Sequence, residues 1–297
     1  MRRIMSWPWQ QDLRRCPISQ RLEFLTGIAY VEPHSWACVH CHKLHAVDVL
    51  DHPSVQRYLP CLVKSRRGPL GKYYLEHHHI QLALKLSRMG VNRPYLKKLL
   101  ASSSTTLREN RSTVYTHTAR PKIAGERFLL FEKISIGNDH GTLSRRDMQE
   151  GFIMLCPHQA LPRSYLPTLQ SIVRELCPST ALDDAARLAL ASPGREVQGH
   201  CRWCPTDFSV LFPSSRRELI FNVWHDFGTY GSGLNPYWSS QVWSDQYRRQ
   251  PPIFNRPLGQ SRNLYINAPS CITLWLWEGL RSRFSSLPAW NGLRSRR

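Results

Sequence analysis

The sequence lacks any long uninterrupted hydrophobic run. Its best candidate, residues 271–277, ends at Glu278 and is far shorter than the roughly 18 apolar residues that a membrane-spanning helix needs. The N-terminal segment also lacks the apolar part of a secretory signal, because Gln10, Gln11 and Asp12 stand where it should be. We therefore expect an intracellular protein, in the cytoplasm or the nucleus. Its nine cysteines, an odd number, fit a disulfide framework poorly.

Acidic residues are scarce relative to basic ones. The 297 residues contain 40 Lys and Arg against 21 Asp and Glu, which gives a formal net charge of +19. Part of the excess lies in a basic loop at 64–72 and in an Arg-rich C-terminal tail. Such segments can contact phosphates, so nucleic acid is a candidate partner, although no RNA-recognition, homeodomain or two-Cys-two-His finger signature accompanies them.

The common catalytic motifs are also missing from the sequence. It contains no Gly-x-Ser-x-Gly elbow, no P-loop, no Gly-x-Gly-x-x-Gly after a predicted strand and no His-Glu-x-x-His. Cys156 near His158 is the best candidate for a nucleophile with a base, but two residues so close in sequence are more typical of a metal site. We therefore expect a protein that is not an enzyme and has no catalytic or small-molecule cofactor-binding residues.

The order of periodic segments predicts an α+β fold. Apolar residues at helical spacing predict helices, and alternating segments rich in β-branched residues predict strands of an antiparallel sheet. The predicted helices cover 21–30, 75–89, 92–100, 165–176 and 181–191, and the predicted strands cover 114–118, 127–136, 151–156, 207–212 and 218–227. Because helices and strands do not alternate regularly, α+β is favoured over a doubly wound sheet.

We expect three regions along the chain. Residues 1–20 form a poorly ordered N-terminus, 21–245 a single α+β domain, and 246–297 a low-order tail that contains Arg and Trp. No core periodicity is visible after about residue 250. Deletion of 251–297 is therefore expected to leave the melting temperature nearly unchanged.

Two Cys-x-x-Cys pairs are the strongest chemical signal. Cys38 with Cys41, and Cys201 with Cys204, each form a knuckle that supplies half of a tetrahedral zinc site. Two knuckles that the fold brings together complete a four-cysteine site, which would tie the N-terminal segment to the late strands. We therefore predict one structural zinc ion held by these four cysteines.

Other cysteines and histidines compete for this role. Cys156 and His158 are alternate ligands, since with Cys38 and Cys41 they make an equally tetrahedral set. Cys61 stands alone in the sequence. Five histidines flank the two knuckles, namely His34, His40, His42, His45 and His200.

A further histidine run, His77 to His79, lies on the clearest predicted helix. Consecutive helical positions point in three directions, so these side chains cannot converge on one ion, and only His79 shares the apolar face. We expect a packing and capping role for them. The remaining cysteines are expected to pack as small apolar core residues; they are Cys16, Cys177 and Cys271.

Several segments resemble those of another group of proteins, in the same order along the chain. These segments are 22–25, 36–45, 74–84, 155–158, 200–208, 224–228 and 236–238, and they span about residues 20–245. They resemble a large set of uncharacterised filamentous-fungal proteins, many of them F-box-like. An F-box in that family is N-terminal and begins with a Leu-Pro helix pattern, which residues 1–20 do not show. The chain thus resembles a box-less member or a truncated gene model, and binding to a cullin-ligase adaptor is not expected.

Together these features predict a non-catalytic intracellular binding or scaffold module with a structural zinc site and no contact with a membrane. The alternative is a nucleic-acid-associated, zinc-stabilised protein that uses the basic loop and the Arg-rich tail. The salt dependence of binding distinguishes the two, because phosphate neutralisation gives a steep dependence.

Overall fold

Ten strands and six helices make up the described part of the computed structural model, which covers residues 15–55, 61, 73–108, 113–138, 141, 143, 153–161, 181–215, 217–242 and 253–268. The strands are β1 (Ser35–Ala37), β2 (Leu44–Ala46), β3 (Ser103–Arg108), β4 (Thr113–Ala124), β5 (Arg127–Asn138), β6 (Ile153–Cys156), β7 (Gln159–Leu161), β8 (Glu196–His200), β9 (Thr206–Leu211) and β10 (Glu218–Asp226). The helices are α1 (Ile18–Val31), α2 (His77–Met89), α3 (Arg93–Leu99), α4 (Ala181–Ala191), α5 (Pro236–Ser239) and α6 (Gln260–Asn267).

The central feature is a six-stranded antiparallel sheet. Its strand order is β3-β4-β5-β10-β9-β8, and β1-β2 and β6-β7 form two separate antiparallel hairpins. The predicted α+β fold is confirmed, and the predicted helix at 165–176 lies outside the described residues. Within the described ranges, no helix has both the length and the apolar character needed to cross a membrane.

Two hydrophobic clusters lie on one face of the sheet. The first joins α2 and α3 to the part of β5 that contains Leu130, and the second joins α4 and β6 to the part that contains Ile134. A polar band separates them, since His117, Glu132 and His225 belong to the same face and bond to one another. Alternation along the strands therefore places two cores and one polar band side by side.

Helix α2 is buried along most of its length. All residues from His77 to Leu86 are buried, including Lys85, and Gly90 ends the helix in the left-handed conformation with a φ of 69°. His79 accepts a hydrogen bond at Nδ1 from the backbone N–H of Glu76, at 3.1 Å. The predicted capping role is thus confirmed for His79, but the expectation that only His79 faces inward is wrong.

Helix α6 lies beyond the predicted domain boundary at residue 245. Buried Asp207 accepts hydrogen bonds from the N–H groups of Ser261, at 2.6 Å, and Arg262, at 3.1 Å, and so caps the helix. At its other end, Lys122 donates to the Tyr265 carbonyl, at 2.7 Å. Ordered structure therefore extends at least to Ala268, whereas the rest of the predicted tail lies outside the described residues.

This docking changes the expected result of a truncation. A chain that ends at residue 252 should melt at a lower temperature than one that ends at 268, because it leaves buried Asp207 without its two backbone donors. We expect a loss of about 1–3 kcal/mol in the free energy of unfolding. Thermal unfolding of the two truncated chains checks this, and equal melting temperatures would show that α6 adds nothing to stability.

Candidate metal centres

The first Cys-x-x-Cys knuckle forms the turn of the β1-β2 hairpin. The N–H of Cys38 donates to the Lys43 carbonyl at 3.0 Å, and the N–H of His42 donates to the Cys38 carbonyl at 3.1 Å. His42 adopts a left-handed conformation, with a φ of 52°. These bonds close a tight turn in which both cysteine side chains can point to one side.

Helix α2 holds this hairpin in place. Gln81 Oε1 accepts a hydrogen bond from the Ala37 N–H at 3.1 Å, and Lys85 Nζ donates to the carbonyls of Glu32, at 2.9 Å, and Ser35. Because Gln81 and Lys85 are buried, these bonds are shielded from competing water. The buried helix therefore fixes the position of the knuckle.

Two further residues complete the first cluster. Cys38, Cys41, His45 and Cys61 offer ligand atoms that all lie within 4.8 Å of one another. The distance from Cys41 Sγ to His45 Nε2 is 2.9 Å, and that from Cys38 Sγ to Cys61 Sγ is 3.7 Å. Cys38 is fully buried, while the other three are half-buried. This set of three thiols and one imidazole could hold a metal ion.

The second knuckle lies in the connection between β8 and β9. The N–H of Cys201 donates to the Thr206 carbonyl at 2.9 Å, and the N–H of Thr206 donates to the Cys204 carbonyl at 2.8 Å. The N–H of Trp203 also donates to Cys201 Sγ at 3.4 Å. A backbone donor to sulfur favours the thiolate form that a metal ligand needs.

The turn of the β6-β7 hairpin completes the second cluster. It contributes Cys156 and His158, whose ligand atoms lie within 4.8 Å of those of Cys201 and Cys204. All three cysteines are at most 3% exposed. His158 Nδ1 is buried and has no hydrogen-bond partner among the residues that the structure describes, as expected where a cation would complete the environment of a buried polar atom. This cluster, too, could hold a metal ion.

The predicted site shared by the two knuckles is not formed. The structure groups Cys38 and Cys41 with His45 and Cys61 instead, and the alternative pairing of this knuckle with Cys156 and His158 is not formed either. The reason lies in the packing: Cys38 belongs to the hydrophobic cluster around α2, whereas Cys201 and Cys204 belong to a separate cluster with Cys156. His45 and Cys61 are noted from the sequence, but neither of them is assigned to a site there.

In each cluster the thiols differ in how readily they ionise, and ionisation of one opposes that of its neighbours. Burial raises the pKa of the Cys156 and Cys204 thiols. Burial also opposes ionisation of Cys201, but hydrogen bonds from Cys156 and Cys204 outweigh it and hold the Cys201 pKa well below its usual range. In the first cluster, a hydrogen bond from Cys38 lowers the pKa of Cys41 to about 4. A divalent cation would stabilise further thiolates in each cluster.

A third group, Asp51 with His78 and His79, has metal-ligand geometry but a different chemistry. His78 Nε2 lies 2.9 Å from one carboxylate oxygen of Asp51, and His79 Nε2 lies 3.3 Å from the other. His79 Nδ1 already accepts the Glu76 N–H, so the proton of the neutral ring is on Nε2. A protonated Nε2 cannot bind a metal. This group is therefore a hydrogen-bonded anchor for the start of α2.

The polar band of the sheet reaches the second cluster through Thr206. Glu132 lies 3.0 Å from His117 Nε2 and 2.8 Å from His225 Nε2. On its other side, His225 Nδ1 lies 3.0 Å from Thr206 Oγ1, which is 3.2 Å from Cys204 Sγ. This chain of contacts helps to fix the position of the Cys204 sulfur. Hydrogen bonds to the ligands of a metal ion have the same effect at metal sites.

The segments that suggested a nucleic-acid partner are largely outside the described residues. The basic loop 64–72 is entirely outside them, and of the Arg-rich tail only 253–268 is described. Of the cysteines expected in the core, Cys16 is half-buried, and the other two are also outside.

The chain was compared with known proteins by sequence and by structure. No protein-family profile matches it, and no curated protein or solved structure is detectably similar to it.

Proposed function

We propose that this chain is a non-catalytic binding module whose fold is held together by two structural zinc sites. The observation that carries the proposal is the pair of separate clusters, each with three cysteines and one histidine whose ligand atoms lie within 4.8 Å of one another. The proposal keeps the predicted function and replaces one shared zinc ion by two.

The ligand types favour zinc. Thiolates with an imidazole in a four-coordinate set are typical of structural zinc, whereas calcium and magnesium prefer oxygen ligands. A structural site uses four protein ligands, and a catalytic site keeps one position open for water or substrate. Because both clusters offer four protein ligands, neither leaves such a position, which supports a role in folding and not in chemistry.

Zinc would add a cross-link to two short hairpins. The β6-β7 hairpin has strands of four and three residues, and β1-β2 has two strands of three. Hairpins of this size are marginal in water without packing or a cross-link. The second site would tie the β6-β7 turn to the β8-β9 turn, and the first would tie Cys61 to the β1-β2 turn. The turns held in this way would present fixed positions to a partner.

Metal analysis of the purified protein tests the proposal. We expect about two zinc ions per chain and a loss of cooperative unfolding after chelation, because the free energy of metal binding becomes free energy of folding. Elemental mass spectrometry and thermal unfolding give the two readouts.

The matched control for this experiment is Cys16→Ser, which changes a cysteine outside both clusters and should keep both zinc ions. A metal-free protein with the same melting curve would contradict the proposal, and one zinc ion per chain would contradict the assignment of two separate sites.

A further inference from the structure

The two clusters differ in how far they are exposed to solvent. In the second cluster all three cysteines are buried, whereas in the first only Cys38 is buried, and Cys41 and Cys61 are half-buried. Oxidants in solution react with thiolates that they can reach. The first cluster is therefore more accessible to oxidants than the second, although both have the same ligand types.

We propose that the first cluster is a site of reversible oxidation by hydroperoxides, at which Cys61 and Cys38 form a disulfide and one zinc ion is released. The proposal rests on the proposed zinc sites. Cys61 is half-buried and its Sγ lies 3.7 Å from Cys38 Sγ. To form a disulfide the two sulfurs would have to approach from this distance to about 2.05 Å.

The reaction has two steps that balance. The Cys61 thiolate attacks one oxygen of the hydroperoxide, the O–O bond breaks, and a sulfenic acid and hydroxide (or alkoxide) form. The Cys38 thiolate then attacks the sulfenic sulfur and expels a second hydroxide as the S–S bond forms. The two thiolates lose two electrons, and the hydroperoxide gains them. Cys41 and His45 remain as ligands, and two ligands do not hold zinc in a structural site.

The second cluster is protected by its surroundings. Cys156, Cys201 and Cys204 are at most 3% exposed, and Trp203 packs against them. A hydroperoxide would have to enter the core before it met a thiolate. The second cluster has the same ligand types as the first. It therefore serves as a reference for the rate of oxidation within the same protein.

The experiment treats the zinc-loaded full chain with dilute hydrogen peroxide. We expect one of the two zinc ions to leave first, with the second at least about tenfold slower, because accessibility controls thiolate oxidation. A chromophoric chelator follows the release, and peptide mapping after alkylation should find a Cys38–Cys61 disulfide. Thiol reductant with added zinc should restore the starting state.

The controls separate this proposal from the zinc sites themselves. Cys16→Ser should release zinc at the wild-type rate. Cys61→Ser removes a ligand of the first site, so it should carry one zinc ion before peroxide is added, release that ion only at the slow rate, and form no Cys38–Cys61 disulfide. Simultaneous release of both zinc ions, or release of one without the Cys38–Cys61 disulfide, would overturn the proposal. Wild-type protein that carries fewer than two zinc ions before peroxide is added contradicts the proposed function instead, and the peptide map alone then decides on the disulfide.

Discussion

Protein with the Cys201→Ser substitution is expected to contain one zinc ion instead of two and to unfold at a much lower temperature. The substitution removes one of four ligands from a buried cluster. Apparent free energies of structural zinc binding are about 10–16 kcal/mol, comparable with the whole stability of a domain, about 5–15 kcal/mol. Loss of the second site should therefore be among the largest effects of any single substitution in this chain.

The pairing of ligands can be measured with double substitutions. Adding Cys156→Ser to Cys201→Ser should change zinc content and stability little, because the site is already lost. Adding Cys41→Ser should remove the other zinc ion. Residues that act as one unit are strongly non-additive, whereas independent sites add to within about 0.5 kcal/mol. Zinc content and urea unfolding of the single and double variants give the answer.

The control variant for this series is Cys16→Ser, which should behave as wild type. If Cys41 and Cys201 proved to be the redundant pair, the single four-cysteine site predicted from the sequence would be right and the structural grouping wrong. If all the substitutions added independently, the cysteines would share no metal, and they would be core residues only.

The ligand residues were partly predictable, but their pairing was not. Spacing identifies a Cys-x-x-Cys knuckle because two thiols at that distance can meet one ion. It does not say which distant segment supplies the other two ligands, because that depends on how the hairpins dock. For the first knuckle a local signal existed: His45 and Cys61 follow Cys41 at short distances in sequence. Spacing alone does not rank that local set above a second Cys-x-x-Cys knuckle, which supplies half of a tetrahedral site by itself.

The elements were predictable where one face is apolar and the opposite one is polar. Helices with an apolar face, such as α4, follow directly from periodicity. The sequence does not predict helix α6, because Ser261 is its only buried residue. The helix is held by hydrogen bonds between its backbone and the side chains of Asp207 and Lys122. Contacts of that kind leave no hydrophobic pattern in the sequence.

The sequence predicts the position of helix α2 but not that the helix is buried on every side. Its buried residues run continuously from His77 to Leu86, so they include positions on every side of the helix. Periodicity assumes an exposed side, and it assigns polar residues such as His78 and Lys85 to that side. Their buried partners are Asp51 and the carbonyls of the β1 region, which become neighbours only in the folded chain.

Acidification is expected to destabilise the protein through the buried histidines of α2. Burial lowers the pKa of His77 to about 3 and that of His78 to about 4, from an ordinary value of 6.5. Below pH 6.5 the unfolded chain binds protons that the folded chain does not. The free energy of unfolding therefore falls as the pH decreases from 6.5 towards 4.

The contacts of His77 explain its resistance to protonation. Gln81 Oε1 accepts the Ala37 N–H, so the amide nitrogen of Gln81 faces His77 Nδ1, at 3.2 Å. An amide nitrogen only donates, and Nδ1 must therefore be an unprotonated acceptor. Protonation at this nitrogen would break the bond and place a charge next to Trp238, away from water.

A pair of matched substitutions isolates this effect. His77→Gln removes a buried titrating group, and His34→Gln removes an exposed one. Between pH 7 and pH 4.5, wild type and His34→Gln should lose about 3 kcal/mol more stability than His77→Gln, since two pH units below the unfolded pKa correspond to about 3 kcal/mol per group. Urea unfolding at the two pH values measures the difference.

Zinc release in acid does not obscure this comparison. Thiolates and imidazoles lose metal when they are protonated, but His77 and His34 belong to neither cluster, so the metal contribution is common to all three proteins and cancels in their difference. Asp51 adds nothing in this range, because hydrogen bonds from His78 and His79 outweigh its burial and hold its pKa well below the usual value. If His77→Gln lost stability with acid as steeply as wild type, His77 would not be neutral in the folded protein, and the hydrogen bond from Gln81 would have to be rejected.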